Sequence, residues 1–257
     1  MDRFKMGELQ VEAGSPVMLE GSNSPHFHTV LSGVGVREKS LPDGRRQIVN
    51  FAFPGDLIGL QAGLLGEMKH GVEAATDMVL CVFSREKLWD LFRKHPERAF
   101  DVTWLAATET RSLAESLLSV GRRSAREQIA HLFHYMMRRA VESGFAIDDD
   151  RMRFPFTQQD VADAVGLSVV HTNKTIQSLR KAGVVKLADG ELAILNPEAL
   201  QVAAIAQAGR AGTVGRQLER AQVPQPFTPV GELSVQHLPA QPTPLPFGIV
   251  RKLNRQR

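Results

Sequence analysis

The stretch that decides the fold is Phe156-Thr157-Gln158-Gln159-Asp160-Val161-Ala162-Asp163-Ala164-Val165-Gly166-Leu167-Ser168, continuing through Val169-Val170-His171-Thr172-Asn173-Lys174-Thr175-Ile176-Gln177-Ser178-Leu179-Arg180-Lys181 to Ala182. Thr157 with Asp160 three residues on is an N-terminal capping arrangement. The short helix it starts buries Val161, Ala162 and Val165. Gly166 supplies a tight turn, and Ser168 can cap a second helix running to about Lys181. Two short helices joined by a glycine turn predict a helix-turn-helix. In the second helix Thr172, Thr175, Ile176 and Leu179 follow i, i+3, i+4, i+7 and must face the first. The opposite face presents Val169, Val170, Asn173, Lys174 and Gln177, flanked by His171 and Ser178. From Ser168 to Ala182 the charged groups are Lys174, Arg180 and Lys181, with no acid, which suits a helix facing phosphates. Val184 to Leu195, with Asp189-Gly190 at its centre, reads as a hairpin "wing" beside that helix.

Upstream, residues 8–84 carry short apolar runs between turn signals and read as β. Val36 to Phe51 is the clearest hairpin, with Asp43-Gly44 as a tight two-residue turn, and Phe53-Pro54-Gly55-Asp56 is a second corner. Met78 to Phe83 reads as a buried strand holding the single cysteine, Cys81. Several short strands at this spacing mean a sandwich or barrel. From Pro96 the pattern turns helical, with Phe100, Trp104, Leu105, Leu113, Leu117, Leu118 and Val120 near three- and four-residue spacing until Gly121 interrupts. Ala99, Val102, Ala106 and Ala107 widen that stripe, so the helix must bury two sides, one on the β domain and one on a second copy of itself. A further helix, roughly Ser124 to Val141, puts Ile129, Leu132, Phe133 and Met136 on one face. Asp148-Asp149-Asp150 reads as a solvated loop.

Bulk properties narrow the function classes. The chain has 257 residues, enough for about two domains. With 43% hydrophobic and 23% charged residues it is of ordinary globular composition. No apolar run approaches a membrane span, and the start lacks an apolar signal region, so a cytoplasmic location is expected. One thiol cannot close an intrachain disulfide or ligate an iron–sulfur cluster or zinc finger alone, so Cys81 is expected to be inert core. Seven basic side chains against Glu219 and Glu232 give residues 209–257 a charge of +5 and leave the remainder at −2, out of a net +3. Overall basicity therefore does not argue for nucleic acid; local charge and motif must. Seven of the fourteen prolines fall between Pro224 and Pro246, and residues 206–257 are expected to form a Pro-rich, basic, disordered tail.

The arrangement resembles the Crp/Fnr superfamily of bacterial transcription regulators over about residues 8–205. Upstream the resemblance rests on Leu31-Ser32-Gly33, Asp43-Gly44-Arg45-Arg46-Gln47 and Phe53-Pro54-Gly55-Asp56-Leu57-Ile58-Gly59. The segment from Gly166 to Gln177 is similar to the FixK-like branch. What it implies is an α+β chain. Residues 8–95 would be a double-stranded β-helix sensor, cyclic-nucleotide-binding-like and of cupin-type jelly-roll form. Residues 96–121 would be a long dimerisation helix, and 122–205 a winged helix-turn-helix. The implied partners are a second copy, through Val102, Leu105, Leu113, Leu117 and Val120, double-stranded DNA with a palindromic operator, and RNA polymerase. The 168–182 helix would read bases with Val169, Val170, His171, Asn173 and Lys174, while Thr157, Gln158, Ser168 and Lys181 would hold the backbone.

Departures from the family pattern carry information too. Members that bind cyclic AMP place a Glu where Leu60 stands and an Arg-Ser pair where Gly66-Glu67-Met68-Lys69-His70-Gly71 lies. Leu cannot accept a ribose hydroxyl and Lys lacks the bidentate fork, so a response to cyclic AMP is not expected, and no cofactor is. Val170 replaces a Glu that accepts from cytosine and Lys174 an Arg that reads guanine, so the operator should depart from the common half-site.

Two rival readings remain at this level. His26 and His28 have metal-ligand spacing on a strand, as in cupin metalloenzymes. The carboxylate and third histidine of a cupin site are missing, so neither metal binding nor catalysis is expected. His131 and His134 read as packing or surface residues. The other rival is a protein-interaction module whose helix-turn-helix does not bind DNA.

Overall fold

The computed structural model describes residues 4–205. The proline-rich tail expected at 206–257 lies outside the described residues. Short β-forming segments broken by glycine turns build the N-terminal half. They are β1 (Lys5–Val11), β2 (Pro16–Met18), β3 (His26–Ser32), β4 (Gly35–Ser40), β5 (Arg46–Ala52), β6 (Leu57–Ile58), the short helix α1 (Leu60–Leu65), β7 (Gly71–Ala74) and β8 (Met78–Ser84). They form two antiparallel sheets, ordered β1-β8-β3-β6 and β2-β7-β4-β5, the double-sheet roll expected. Met18, Val30, Ala52, Ile58, Val72, Ala74, Met78 and Leu80 fill the space between them. Gly33, with φ +80°, is required at the crossing, because a Cβ there would stand 2.2 Å from the Asp77 carbonyl oxygen.

The sheet containing β4 and β5 is buried on both faces. Arg37 opposes Asn50 and Glu38 opposes Ile48, so Val49 is an extra residue in β5. That bulge lets Ile48 and Phe51, three residues apart, share the outer face. There they join Val34, Val36 and Phe53 in a core built with the C-terminal half.

Helices follow: α2 (Leu88–Lys94), α3 (Pro96–Arg122) and α4 (Ala125–Glu142). α3 passes through Gly121 and stops at the extended Arg123, after which a Ser124/Glu127 capping box starts α4. Ile129, Leu132, Phe133 and Met136 are buried as their spacing required. β9 (Ala146–Asp148) and β10 (Arg151–Arg153) come next, then α5 (Gln158–Val165), α6 (Val169–Lys181), β11 (Val185–Ala188), β12 (Glu191–Ile194) and α7 (Pro197–Ile205). Phe51 meets Phe156 at 4.8 Å between ring centroids, so roll and C-terminal half share one continuous core. Among the described residues no helix is long and apolar enough to cross a membrane.

One local reading needs correction. Asp43-Gly44 is not a two-residue turn. Gly44 N donates to Leu41 O at 2.9 Å and Leu41 N to Arg45 O at 2.8 Å, so Pro42-Asp43-Gly44 is a three-residue loop with glycine at positive φ. Pro42 fixes negative φ in the first loop position, which selects that turn. The acidic stretch 148–150 is exposed, as its reading as a solvated loop expected, and it turns the β9–β10 hairpin; β10 also pairs with β12, giving a sheet ordered β11-β12-β10-β9.

Candidate nucleic-acid interface

Local signals fold the reader as the sequence required. Thr157 Oγ1 accepts from Asp160 N at 3.1 Å, and Asp160 Oδ2 accepts from Thr157 N at 2.8 Å, closing the capping box of α5. Gly166 takes the left-handed conformation, φ 69° and ψ 30°, that ends the helix. A Cβ there would lie 3.3 Å from Val120 Cγ1, so the turn also packs close to α3. Ser168 Oγ accepts from His171 N at 3.3 Å and starts α6. Thr172, Thr175, Ile176 and Leu179 are buried against the rest of the domain. β11 and β12 close through Asp189-Gly190, both at positive φ, as a two-residue wing turn.

On the outer face of α6, Val170, His171, Lys174, Gln177 and Lys181 are exposed, Val170 by 65%. Val169 and Asn173 are half-buried on its flank, and Asn173 Oδ1 is closed off from solvent. Thr157, Gln158 and Ser168 are exposed at the helix starts. Arg126 of α4 donates to Ser178 Oγ at 3.1 Å and ties the α6 flank to the domain.

The acids of α5 are not left facing this surface. Asp160 and Asp163 both pair with Arg46, from the β4–β5 hairpin more than a hundred residues upstream. Sequence reading missed Arg46 because no local pattern distinguishes it from its neighbour Arg45, which turns instead to Asp43. The five α3 residues expected at a dimer contact divide into two sets. Leu113, Leu117 and Val120 are exposed, Leu117 by 75%, whereas Val102 and Leu105 are half-buried against their own chain. Phe100, Trp104 and Leu118 are exposed on another side of the helix.

Inside the roll the residues do not fit a cyclic nucleotide. Leu60 opens α1 with no polar side-chain atom. Arg37 is the one buried arginine or lysine among the described residues, and it is committed to Glu109 and to Leu57 O, the latter at 2.9 Å. His28 Nδ1 and His70 Nε2 are buried without a protein partner, and burial lowers both imidazole pKa values to about 4, so neither ring is a cation at neutral pH. His26 and His28 share a strand, and among the described residues no group of three or more His, Cys, Asp or Glu is placed to hold a metal. Cys81 is buried, and burial raises its thiol pKa.

Comparison with known proteins places this geometry. Residues 8–95 match the cyclic nucleotide-binding domain family and residues 127–203 the Crp-like helix-turn-helix domain family. The nitrogen fixation regulation protein FixK of Bradyrhizobium diazoefficiens is 30% identical over 199 residues, covering 77% of this chain and 82% of that protein. A probable transcriptional activator of Rhizobium leguminosarum is 32% identical over 181 residues, 69% of this chain and 72% of that one. In fold, FixK2 from Bradyrhizobium japonicum superposes with a TM-score of 0.69 at 24% identity, over 76% of this chain and 95% of that one.

Proposed function

The chain belongs to the Crp/Fnr family of transcription regulators, which bind DNA, typically as dimers, and from that premise we propose that it reads a palindromic operator as a homodimer, one α6 per half-site. The observation that carries this reading is the outer face of α6, exposed, free of acids and flanked by capped helix starts. Lys174 would donate to guanine acceptors and Val170 touch a thymine methyl, with Val169, His171 and Asn173 as the remaining base contacts. Thr157, Gln158, Ser168 and Lys181 would hold phosphates and fix register. Leu113, Leu117 and Val120, spaced i, i+4, i+7 on one face of α3, would pair with the partner helix, Val102 and Leu105 standing behind them.

On this reading the roll does not respond to cyclic AMP, and the protein acts in the cytoplasm on RNA polymerase rather than as an enzyme. Recovery of bound fragments from a pool of random duplexes tests the proposal. Enrichment of an interrupted palindrome is expected; unpatterned fragments would favour a protein-interaction module instead.

A further inference from the structure

Arg46 stands at the loop end of the β4–β5 hairpin, opposite Ser40, and its guanidinium meets three carboxylates at once. Nε donates to Asp163 Oδ2 at 2.9 Å, Nη1 to Glu38 Oε2 at 3.0 Å, and Nη2 to Asp160 Oδ1. Two of these acids belong to α5 and one to the hairpin. Their other oxygens are engaged as well on α5: Asp160 Oδ2 accepts from Thr157, and Asp163 Oδ1 accepts from Gln159 Nε2 at 2.6 Å. All four charged side chains are mostly buried, so water and salt screen them less than a surface pair. The next residue, Gln47, donates to Ala164 O at 3.1 Å. The hairpin thus grips α5 near its start, middle and end.

The same hairpin is tied to α3 from its other face. Successive residues of a strand point to opposite sides, so Glu38 faces outward to Arg46 while Arg37 faces the roll and pairs with Glu109 of α3. A second link runs alongside: Ser112 of α3 donates to the Tyr135 hydroxyl at 3.2 Å, and that hydroxyl donates to Asn50 of β5 at 2.8 Å. One hairpin therefore holds both the helix assigned to dimerisation and the first helix of the reader.

We propose that Arg46 is a positioning residue for DNA recognition, making the β4–β5 hairpin a strut that sets the angle of the helix-turn-helix to α3 and hence the spacing of the two α6 helices in the dimer. The Arg46 guanidinium is taken up by its three carboxylates, and the clamp leaves Thr157, Gln158 and the outer face of α6 exposed. The inference rests on the dimeric operator reading given above. Its distinguishing consequence follows from geometry. A head at the wrong angle can still bind one half-site, but two heads must match a fixed separation of about 34–36 Å to bind together.

The test uses the full chain and two probes: a duplex recovered by the wild-type protein from a random pool, and the same duplex with one half replaced by unrelated sequence. Arg46→Gln is expected to lose about tenfold in affinity on the intact duplex and under about twofold on the half-replaced one. Asp163→Asn, which attacks the clamp from α5 without touching the capping box, should lose in the same pattern. The double variant should be no worse than Arg46→Gln alone, since both changes break one unit. Arg46→Lys keeps the charge but not the fork and should fall between. Equal losses on both duplexes would reduce Arg46 to a support of the domain's fold and overturn the proposal, as would no loss on either. Wild-type protein that bound both duplexes alike would refute the dimeric reading, and the proposal with it.

Discussion

Lys174 and Val170 lie one helical turn apart on the exposed face of α6, and specificity should concentrate there. Replacing Lys174 by Ala is expected to cost about 1–3 kcal/mol on the preferred operator and to relax one base position. Titrating the variant against single-position operator changes checks this; equal weakening on every sequence would make Lys174 a phosphate contact. At this scale the sequence was legible wherever one helix supplied both the signal and its consequence. The period of Thr172, Thr175, Ile176 and Leu179 named the buried face correctly because packing a short helix leaves one solution. Asn173 was less legible. A side chain on the flank of a helix is half-covered or free according to what packs beside it, and here its Oδ1 is closed off.

Elements show the same division. Two Asp-Gly pairs occur in hairpins, yet only Asp189 takes positive φ, at 56°, while Asp43 follows a proline and sits in a longer loop. Asp189→Ala should therefore destabilise the protein by about 1 kcal/mol in denaturant melts, whereas Asp189→Gly should not. An identical loss from Asp43→Ala and Asp189→Ala would contradict the distinction. The cap of α5 is equally local: Thr157→Ala should cost about 1 kcal/mol of stability by the same measurement. In the proposed dimer α3 carries the contact between protomers. Leu117→Glu places a charge in the expected seam, so analytical ultracentrifugation should find monomer at concentrations where the wild type is dimeric; an unchanged dimer would move the interface to another face of the helix. The missed strands β9 and β10 are three residues each, too short to leave a period-two pattern, and only their pairing with each other and that of β10 with β12 define them.

For the molecule as a whole, the long-range ties escaped sequence reading. Arg46 to Asp160, Asp56 to Arg139 at 2.6 Å and Tyr135 to Asn50 join residues about 80 or more positions apart, and no spacing rule anticipates them. The order of roll, long helix and reader was legible, because each unit announces itself by period and turns. How the units lock together was not. Acid sensitivity is another property of the whole. Burial, the largest cause in each case, holds His28, His70 and His131 at about 4, against an ordinary value of 6.5. Between those values the unfolded chain binds more protons than the folded one, so stability rises with pH through that window and falls as the solution is acidified from about 6.5 to 4. Below about 4 these three groups contribute no further loss. Thermal melts at constant ionic strength should trace this fall, with His70→Gln flattening part of it; a melting temperature unchanged down to about 4.5 would contradict the burial of these imidazoles.

Recognition as proposed needs two copies joined along α3 that present two α6 helices to DNA. Selection from random duplexes with the full chain, followed by light scattering on the complex with the recovered fragment, tests it most directly. An enriched interrupted palindrome and two protomers per duplex are expected. A single protomer on the duplex, or a pool in which no sequence is enriched, would contradict it.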